Sequence, residues 1–270
     1  MSLGLNSRCY ALVDQSAFLH NLKLIKQQVG AAKVMAMIKS NAYGHDFDML
    51  KDLDLGLDLS NYITYFGVAS VQEALIIKSY NLKNIKIVIM SGFCDSCELD
   101  IILQNDFEVI IHCSEQIKLL QDIPKAKLSA LNIWFKIDTG MHRLGFLPEE
   151  IISAYKDLDN TLGIKNINLM THFACADDAK SLHMQQQLSS FNEVCNKLEN
   201  LRNNKMLKSA ANSGAIMNYP DALYDVVRPG LLLFGVRPVG RGLSDGLNLS
   251  NKSWVKSLKP VMELRARVIA

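Results

Sequence analysis

Eight apolar runs of strand length, each separated from the next by a helix-length segment, constrain this chain more than any other feature. They fall at about 33–38 (KVMAMI), 63–68 (ITYFGV), 85–90 (IKIVIM), 108–112 (EVIIH), 131–137 (LNIWFKI), 165–171 (KNINLMT), 207–211 (LKSAA) and 225–228 (DVVR). The runs are continuous rather than alternating, which is the pattern of strands covered on both faces. Between them lie amphipathic segments. In the clearest, 180–200, Met184, Leu188, Phe191, Cys195 and Leu198 recur at steps of four and three and share one helix face. Strand–helix repetition implies a parallel sheet, and eight such units close into a (β/α)8 TIM-type barrel of the α/β class. An open doubly wound sheet would carry G-x-G-x-x-G after its first strand. Here the first strand runs into SNAYGHD instead.

Two segments flank the barrel. CYALVD (9–14) has strand character and precedes a helix at about 16–29. At the other end, VGRGLSDGLNLSNKS (239–253) reads as a linker, and LKPVMELRARVIA (258–270) alternates as a half-buried strand does. The expected organisation is a strand in 1–14 that packs with a C-terminal domain, a barrel over 15–240, and in 241–270 a linker plus the first strand of a β-rich domain that is cut short. The strand at 261–269 is expected to fray or to pair with 9–14, because a lone strand is not stable.

Composition removes several function classes. Of 270 residues 49% are hydrophobic and 21% charged, and the formal net charge is +2. That balance gives no electrostatic footprint for nucleic acid or an acidic membrane surface. No apolar run is long enough to span a bilayer, and MSLGLNSRCYALVDQ lacks the form of a signal peptide. Six scattered cysteines suggest free thiols in the cytoplasm. Cys94 and Cys97 form one Cys-x-x-Cys with no second pair at zinc-finger spacing, so no metal site is expected.

In a barrel of this type the chemistry gathers where strands end. Strand 33–38 runs into Lys39. Strand 131–137 leads to Asp138, His142 and Arg143; strand 165–171 to His172; strand 207–211 to Asn212 and Ser213; strand 225–228 to Arg228 and Gly230. A lysine at such a mouth can capture a carbonyl, because partial desolvation lowers its pKa. Asn212-Ser213-Gly214 opens a helix whose N–H groups suit an anion, and Gly230 lets backbone approach closely. A carbonyl-trapping amine opposite a phosphate cradle is what pyridoxal 5′-phosphate requires.

Five blocks, VMAMIKSNAYGHD, KIDTGMHRLGF, THFACADD, AANSGAI and VVRPGLLLFG, together with the opening SRCYALVDQSAFLHNLKLIK, resemble in order the signature blocks of bacterial alanine racemases, fold-type III pyridoxal-phosphate enzymes. The resemblance implies a cytoplasmic enzyme that interconverts L- and D-alanine for peptidoglycan precursors and works as a head-to-tail homodimer. It implies that Lys39 forms the internal aldimine and acts as one catalytic acid–base. Tyr43, Asn212, Ser213, Gly230 and Leu231 would surround the phosphate. Arg228 would face the pyridine nitrogen, with His172 hydrogen-bonded to it, and Arg143 would steer the cofactor's phenolic oxygen and the substrate carboxylate. Lys136 matches the family lysine that is often carbamylated. The second catalytic base, a tyrosine of the partner's C-terminal domain, would lie beyond the matched segment, so the chain is expected to be an incomplete, weakly active or inactive fragment. Other fold-type III racemases or decarboxylases, and a non-catalytic pyridoxal-phosphate carrier, are the alternative readings. Taken singly, the residues read more plainly. Lys39 is then a snorkelling strand-end lysine, Tyr43 a packed aromatic, and the arginines partners of Asp138 or Asp225. Asp177–Asp178 reads as a solvated helix start, and His183 has no expected role.

Overall fold

Ten strands and the helices between them follow the expected alternation in a computed structural model that describes residues 8–51, 53, 58–162, 164, 166–202, 205–238 and 253–268. The strands are β1 (Cys9–Val13), β2 (Lys33–Met37), β3 (Tyr65–Val68), β4 (Lys86–Ile89), β5 (Glu108–Ile111), β6 (Asn132–Lys136), β7 (Asn166–Met170), β8 (Lys208–Ser209), β9 (Val226–Val227) and β10 (Met262–Ala266). Strands β2 to β9 form one sheet in the order β8-β7-β6-β5-β4-β3-β2-β9, and every pair in it is parallel. The ends of that order meet. Asn212 and Arg228 form a parallel bridge, Asp225 N–H donates to the Lys208 carbonyl at 3.1 Å, and Arg228 N–H donates to the Ala211 carbonyl at 2.8 Å. The sheet is therefore a nearly closed eight-stranded barrel.

Strand alternation explains why most of these runs are apolar at successive positions. Met35, Met37, Tyr65, Val88, Ile110, Trp134, Met170 and Val226 form one buried cluster, the filling of the barrel. Their chain neighbours Val34, Ala36, Ile38, Val109, Ile133 and Phe135 belong to a second, larger cluster between strands and helices. Successive side chains point to opposite faces, and both faces here are covered. The helix Gln15–Val29 starts at Asp14, whose carboxylate accepts from Ser16 and Ala17 N–H. It buries Phe18, Leu22 and Ile25 completely, at roughly 1.5–3 kcal/mol of transfer free energy for each side chain. Buried Asn21 is satisfied. It donates to the carbonyls of Leu233 and Lys259 and accepts from Lys259 N–H.

The strand expected at 261–269 runs over Met262–Ala266 and pairs antiparallel with β1, from Cys9 opposite Ala266 to Val13 opposite Met262. The linker expected at 239–253 lies almost wholly outside the described residues. Among the described residues no helix is long and apolar enough to cross a membrane.

Candidate active site at the C-terminal mouth of the barrel

A cavity of about 750 Å³ opens where the barrel strands end. Lys39, Tyr43, Lys136, Arg143, His172, Asn212, Ser213, Arg228, Gly230 and Leu231 all line it. Every site residue expected from the sequence thus meets in one place, Lys136 from the end of β6 and the others from the loops that follow β2, β6, β7, β8 and β9.

Lys39 lies two residues past the end of β2 rather than on the strand itself. The chain then makes a turn that the sequence did not announce. Ser40, Asn41, Ala42 and Tyr43 all have positive φ, between 52° and 56°. This is a left-handed helical turn of four non-glycine residues, and L-residues resist that conformation by roughly 1–2 kcal/mol each. The turn is tied from many sides. Ala42 N–H donates to the Ile38 carbonyl at 2.8 Å, and Gly44 N–H to the Ser40 and Asn41 carbonyls at 3.0 Å. Phe47 N–H donates to Asn41 Oδ1 at 2.8 Å. The Glu73 carboxylate accepts from Ser40 N–H at 2.8 Å. The consequence is that Lys39 and Tyr43 both face the cavity. Burial, with Arg143 and Arg228 close by, lowers the Lys39 pKa, while Glu73 opposes that shift.

Beside Lys39 and Tyr43 two short helical starts converge. Asn212 caps the helix Ser213–Asn218 by accepting from Ala215 N–H. Ser213 Oγ accepts from the N–H groups of Gly230 (3.0 Å) and Leu232 (3.4 Å), which joins the loop after β8 to the loop after β9. Gly230 is packed so closely against the Tyr43 hydroxyl that a Cβ there would collide with it. Burial raises the Tyr43 pKa, so its phenol stays protonated and can donate.

The floor of the cavity is cationic. Arg228 is 3% exposed. Its guanidinium donates to Ser209 Oγ (2.6 Å) and to the Thr171 and Ala210 carbonyls, and Nη2 stands 3.3 Å from His172 Nδ1. Among the described residues no carboxylate answers it: Asp225 instead accepts from Lys208 N–H. Burial brings Arg228 down to about 9, so it remains charged at neutral pH. Burial and the cations Arg228, Lys136, Arg143 and Lys39 push His172 well below its ordinary value, so the imidazole is neutral. Lys136 is also enclosed, 7% exposed. Burial lowers it to about 7, with Arg228 and Arg143 adding to the shift and Asp138 opposing it.

Arg143 rides on the loop after β6. Asp138 organises that loop by accepting from Gly140 and His142 N–H, both at 3.0 Å. It is therefore a backbone clamp and not the partner of Arg143. Gly145, at φ +123°, lets the loop fold back so closely that a Cβ would lie 2.8 Å from Asp138 N. Arg143 itself is exposed and forms no ion pair among the described residues.

Several contributors were not anticipated. Asp177 and Asp178 do not start a helix. That helix begins at Leu182, and Asp177 lines the cavity. Gln187, fully buried, donates to the His172 carbonyl at 3.1 Å and accepts from Ala174 N–H at 3.0 Å. His183 ring nitrogen Nε2 stands 3.0 Å from the Gly140 carbonyl. No group of three or more His, Cys, Asp or Glu side chains able to hold a metal ion occurs among the described residues.

Residues 13–238 match the family model described as alanine racemase, N-terminal domain. An alanine racemase of Coxiella burnetii (strain CbuK_Q154) is 37% identical over 266 residues, which cover 98% of this chain and 68% of that protein. The structure of alanine racemase from Acinetobacter baumannii is similar with a TM-score of 0.81 at 31% identity, over 97% of this chain and 67% of the other. An alanine racemase from Bartonella henselae, whose crystal structure has covalently bound pyridoxal phosphate, is similar with a TM-score of 0.78 at 26% identity, over 97% and 67% of the two chains. The chain thus spans about two thirds of the length of these relatives.

Proposed function

The chain belongs to the alanine racemase family, and from that premise we propose that its cavity holds pyridoxal 5′-phosphate with Lys39 as the covalent anchor and one acid–base for the α-proton of alanine. The observation that carries the proposal is the placement of the Lys39 amine in one cavity with Tyr43, Ser213 and Gly230. The residues present fit the group. The volume lies in the range of small-molecule sites. The wall brings the Tyr43 phenol together with the starts of two short helical turns, whose backbone N–H groups suit a phosphate, and Gly230 admits the Tyr43 hydroxyl because it has no Cβ.

Bound there, the cofactor supplies an electron sink that acidifies the α-carbon of an amino acid. The chain's own residues do the rest. Burial lowers the Lys39 pKa, which favours the neutral form needed both to bond a carbonyl and to accept a proton. Tyr43, Asn212, Ser213, Gly230 and Leu231 hold the phosphate. Arg228 presents donors only and stays charged, so it cannot hand a proton to a ring nitrogen in front of it. That limits the sink and favours return of the α-proton over side reactions. Neutral His172 is held beside Arg228. Arg143, without a carboxylate partner among the described residues, is available for the carboxylate of alanine. Lys136, near neutral at physiological pH, has the nucleophilic amine that carbamylation requires, and the resulting anion would sit among Arg143 and Arg228.

Inversion needs a second acid–base on the face opposite Lys39. Tyr43 is the only tyrosine among the described lining residues, and it is packed against Gly230. We assign the second group to a partner subunit of a homodimer. The test is α-proton exchange of L- and D-alanine in D₂O by the chain loaded with pyridoxal phosphate. Exchange that disappears in Lys39→Arg supports the assignment; exchange that persists in that variant refutes it.

A further inference from the structure

Lys39 is followed by the least favourable backbone among the described residues. Four consecutive non-glycine residues adopt the left-handed region, and three of them, Ser40, Ala42 and Tyr43, are of types that rarely do so. Strain of this kind persists only where the surroundings over-determine it. Most of the turn's own bonds are local, running within residues 38–47. One is not.

Glu73 lies near the start of the helix Val71–Ser79, whose N-cap Ser70 accepts from Glu73 N–H. In an ordinary capping box the glutamate would reach back to the cap residue's own N–H. Here it reaches further. Oε2 accepts from Ala69 N–H at 2.7 Å, and Oε1 accepts from Ser40 N–H at 2.8 Å. Ala69 lines the cavity and Ser40 adjoins Lys39. The carboxylate therefore joins the loop after β3 to the turn after β2, with one oxygen on each. An amide cannot do the same, since one of its ends donates.

We propose that Glu73 is a positioning residue for Lys39: its carboxylate clamps the left-handed turn 40–43 to the Ala69 loop and so fixes the direction of the lysine amine. This inference rests on the reading of Lys39 as cofactor anchor. The groups facing the Lys39 amine are Arg143 and Arg228, which lower its pKa, and Glu73, which raises it; His172 and Lys136 line the same cavity. Asp177 and Tyr43 line it as well. Glu73 is the carboxylate that raises the Lys39 pKa, so removing its charge shifts the lysine downward.

The experiment uses Glu73→Gln and the double variant Glu73→Gln/Ser40→Gly. Ser40 is exposed at φ +56°, and glycine occupies that region without steric cost, so Ser40→Gly stabilises the turn without restoring the charge. Two readouts are taken. The first is the pH profile of Lys39 acylation by acetic anhydride in cofactor-free protein, mapped by peptide mass spectrometry. The second is borohydride-fixed pyridoxyl label on Lys39 at limiting pyridoxal phosphate. In Glu73→Gln the acylation profile moves to lower pH, and the label falls by roughly tenfold, as expected for one lost charge-assisted bond. In the double variant the label recovers while the acylation profile stays shifted. An unchanged profile and label in Glu73→Gln overturns the proposal, as does a loss of label that Ser40→Gly leaves untouched. Should Glu73→Gln fail to fold, hydrogen exchange of the parent decides. Slow exchange at Ser40 and Ala69 amides is expected, and fast exchange at Ser40 overturns the clamp. If the parent takes no pyridoxyl label on Lys39, the cofactor reading fails, and the acylation and exchange results still judge Glu73 separately.

Discussion

Replacing Lys136 with methionine in CO₂-free buffer should stabilise the protein, and by an amount that depends on pH. Lys136 is 7% exposed at the end of β6. Among the described residues its amine has two long contacts, to the Ile137 carbonyl at 3.3 Å and the Leu144 carbonyl at 3.4 Å. Burial, with Arg228 and Arg143 nearby, takes its pKa from 10.5 to about 7. At about 1.4 kcal/mol per tenfold change in proton affinity, that difference is roughly 5 kcal/mol of destabilisation for the charged form. The direction follows from linkage. Between about pH 7 and 10.5 the unfolded chain carries the lysine proton and the folded chain does not, so this group's contribution to stability rises with pH across that window. Below pH 7 both states are protonated and the cost is complete. Methionine keeps the apolar stem and never charges, so Lys136→Met should gain up to roughly 5 kcal/mol at pH 6. The gain should shrink steadily toward pH 10. Urea unfolding of parent and variant at pH 6, 8 and 10 measures it. A stability difference that does not change with pH would refute the reasoning, and so would a variant less stable than its parent at pH 6.

Gly145→Ala should cost roughly 2–3 kcal/mol. The reason is a φ of +123° and a Cβ placed 2.8 Å from the Asp138 backbone nitrogen; thermal melting checks it, with weaker alanine binding expected because Arg143 shares the loop. Glu108→Ala should cost roughly 2–4 kcal/mol, because Trp134 Nε1 donates to this buried carboxylate at 2.8 Å and Lys86 pairs with it. Glu108 opens β5 at the far end of the barrel, so pyridoxyl labelling of Lys39 in the folded variant should match the parent.

Sequence alone carried the barrel because most of its strands obey one rule. Covered on both faces, they are apolar at successive positions, so KVMAMI and LNIWFKI stand out without any partner in view. It carried the rim for a related reason: in a barrel of this kind the first polar residues after each strand are the ones that meet. The left-handed turn was not legible. Asn41 and Gly44 tolerate positive φ, but Ser40, Ala42 and Tyr43 do not advertise it. The forces that hold them come from elsewhere in the chain, Glu73 among them. Asp177 misled for the same reason. Local sequence offered a helix cap, whereas the chain there is held by Asn218, which donates to the Ala176 carbonyl, and by Tyr219, which donates to Asp178. Gln187 was hidden by its own helix. Its neighbours in sequence are a surface pattern, and only the fold shows that its amide secures the carbonyl of His172.

The central claim is that Lys39 is the residue to which the cofactor bonds. The direct measurement is to incubate the chain with pyridoxal phosphate, reduce with borohydride, digest, and quantify the pyridoxyl group on every lysine peptide. The account predicts one dominant site, the peptide containing Lys39, and its loss when Tyr43 or Ser213 is changed to remove a phosphate donor. A label spread over surface lysines, or concentrated on Lys136, would contradict it.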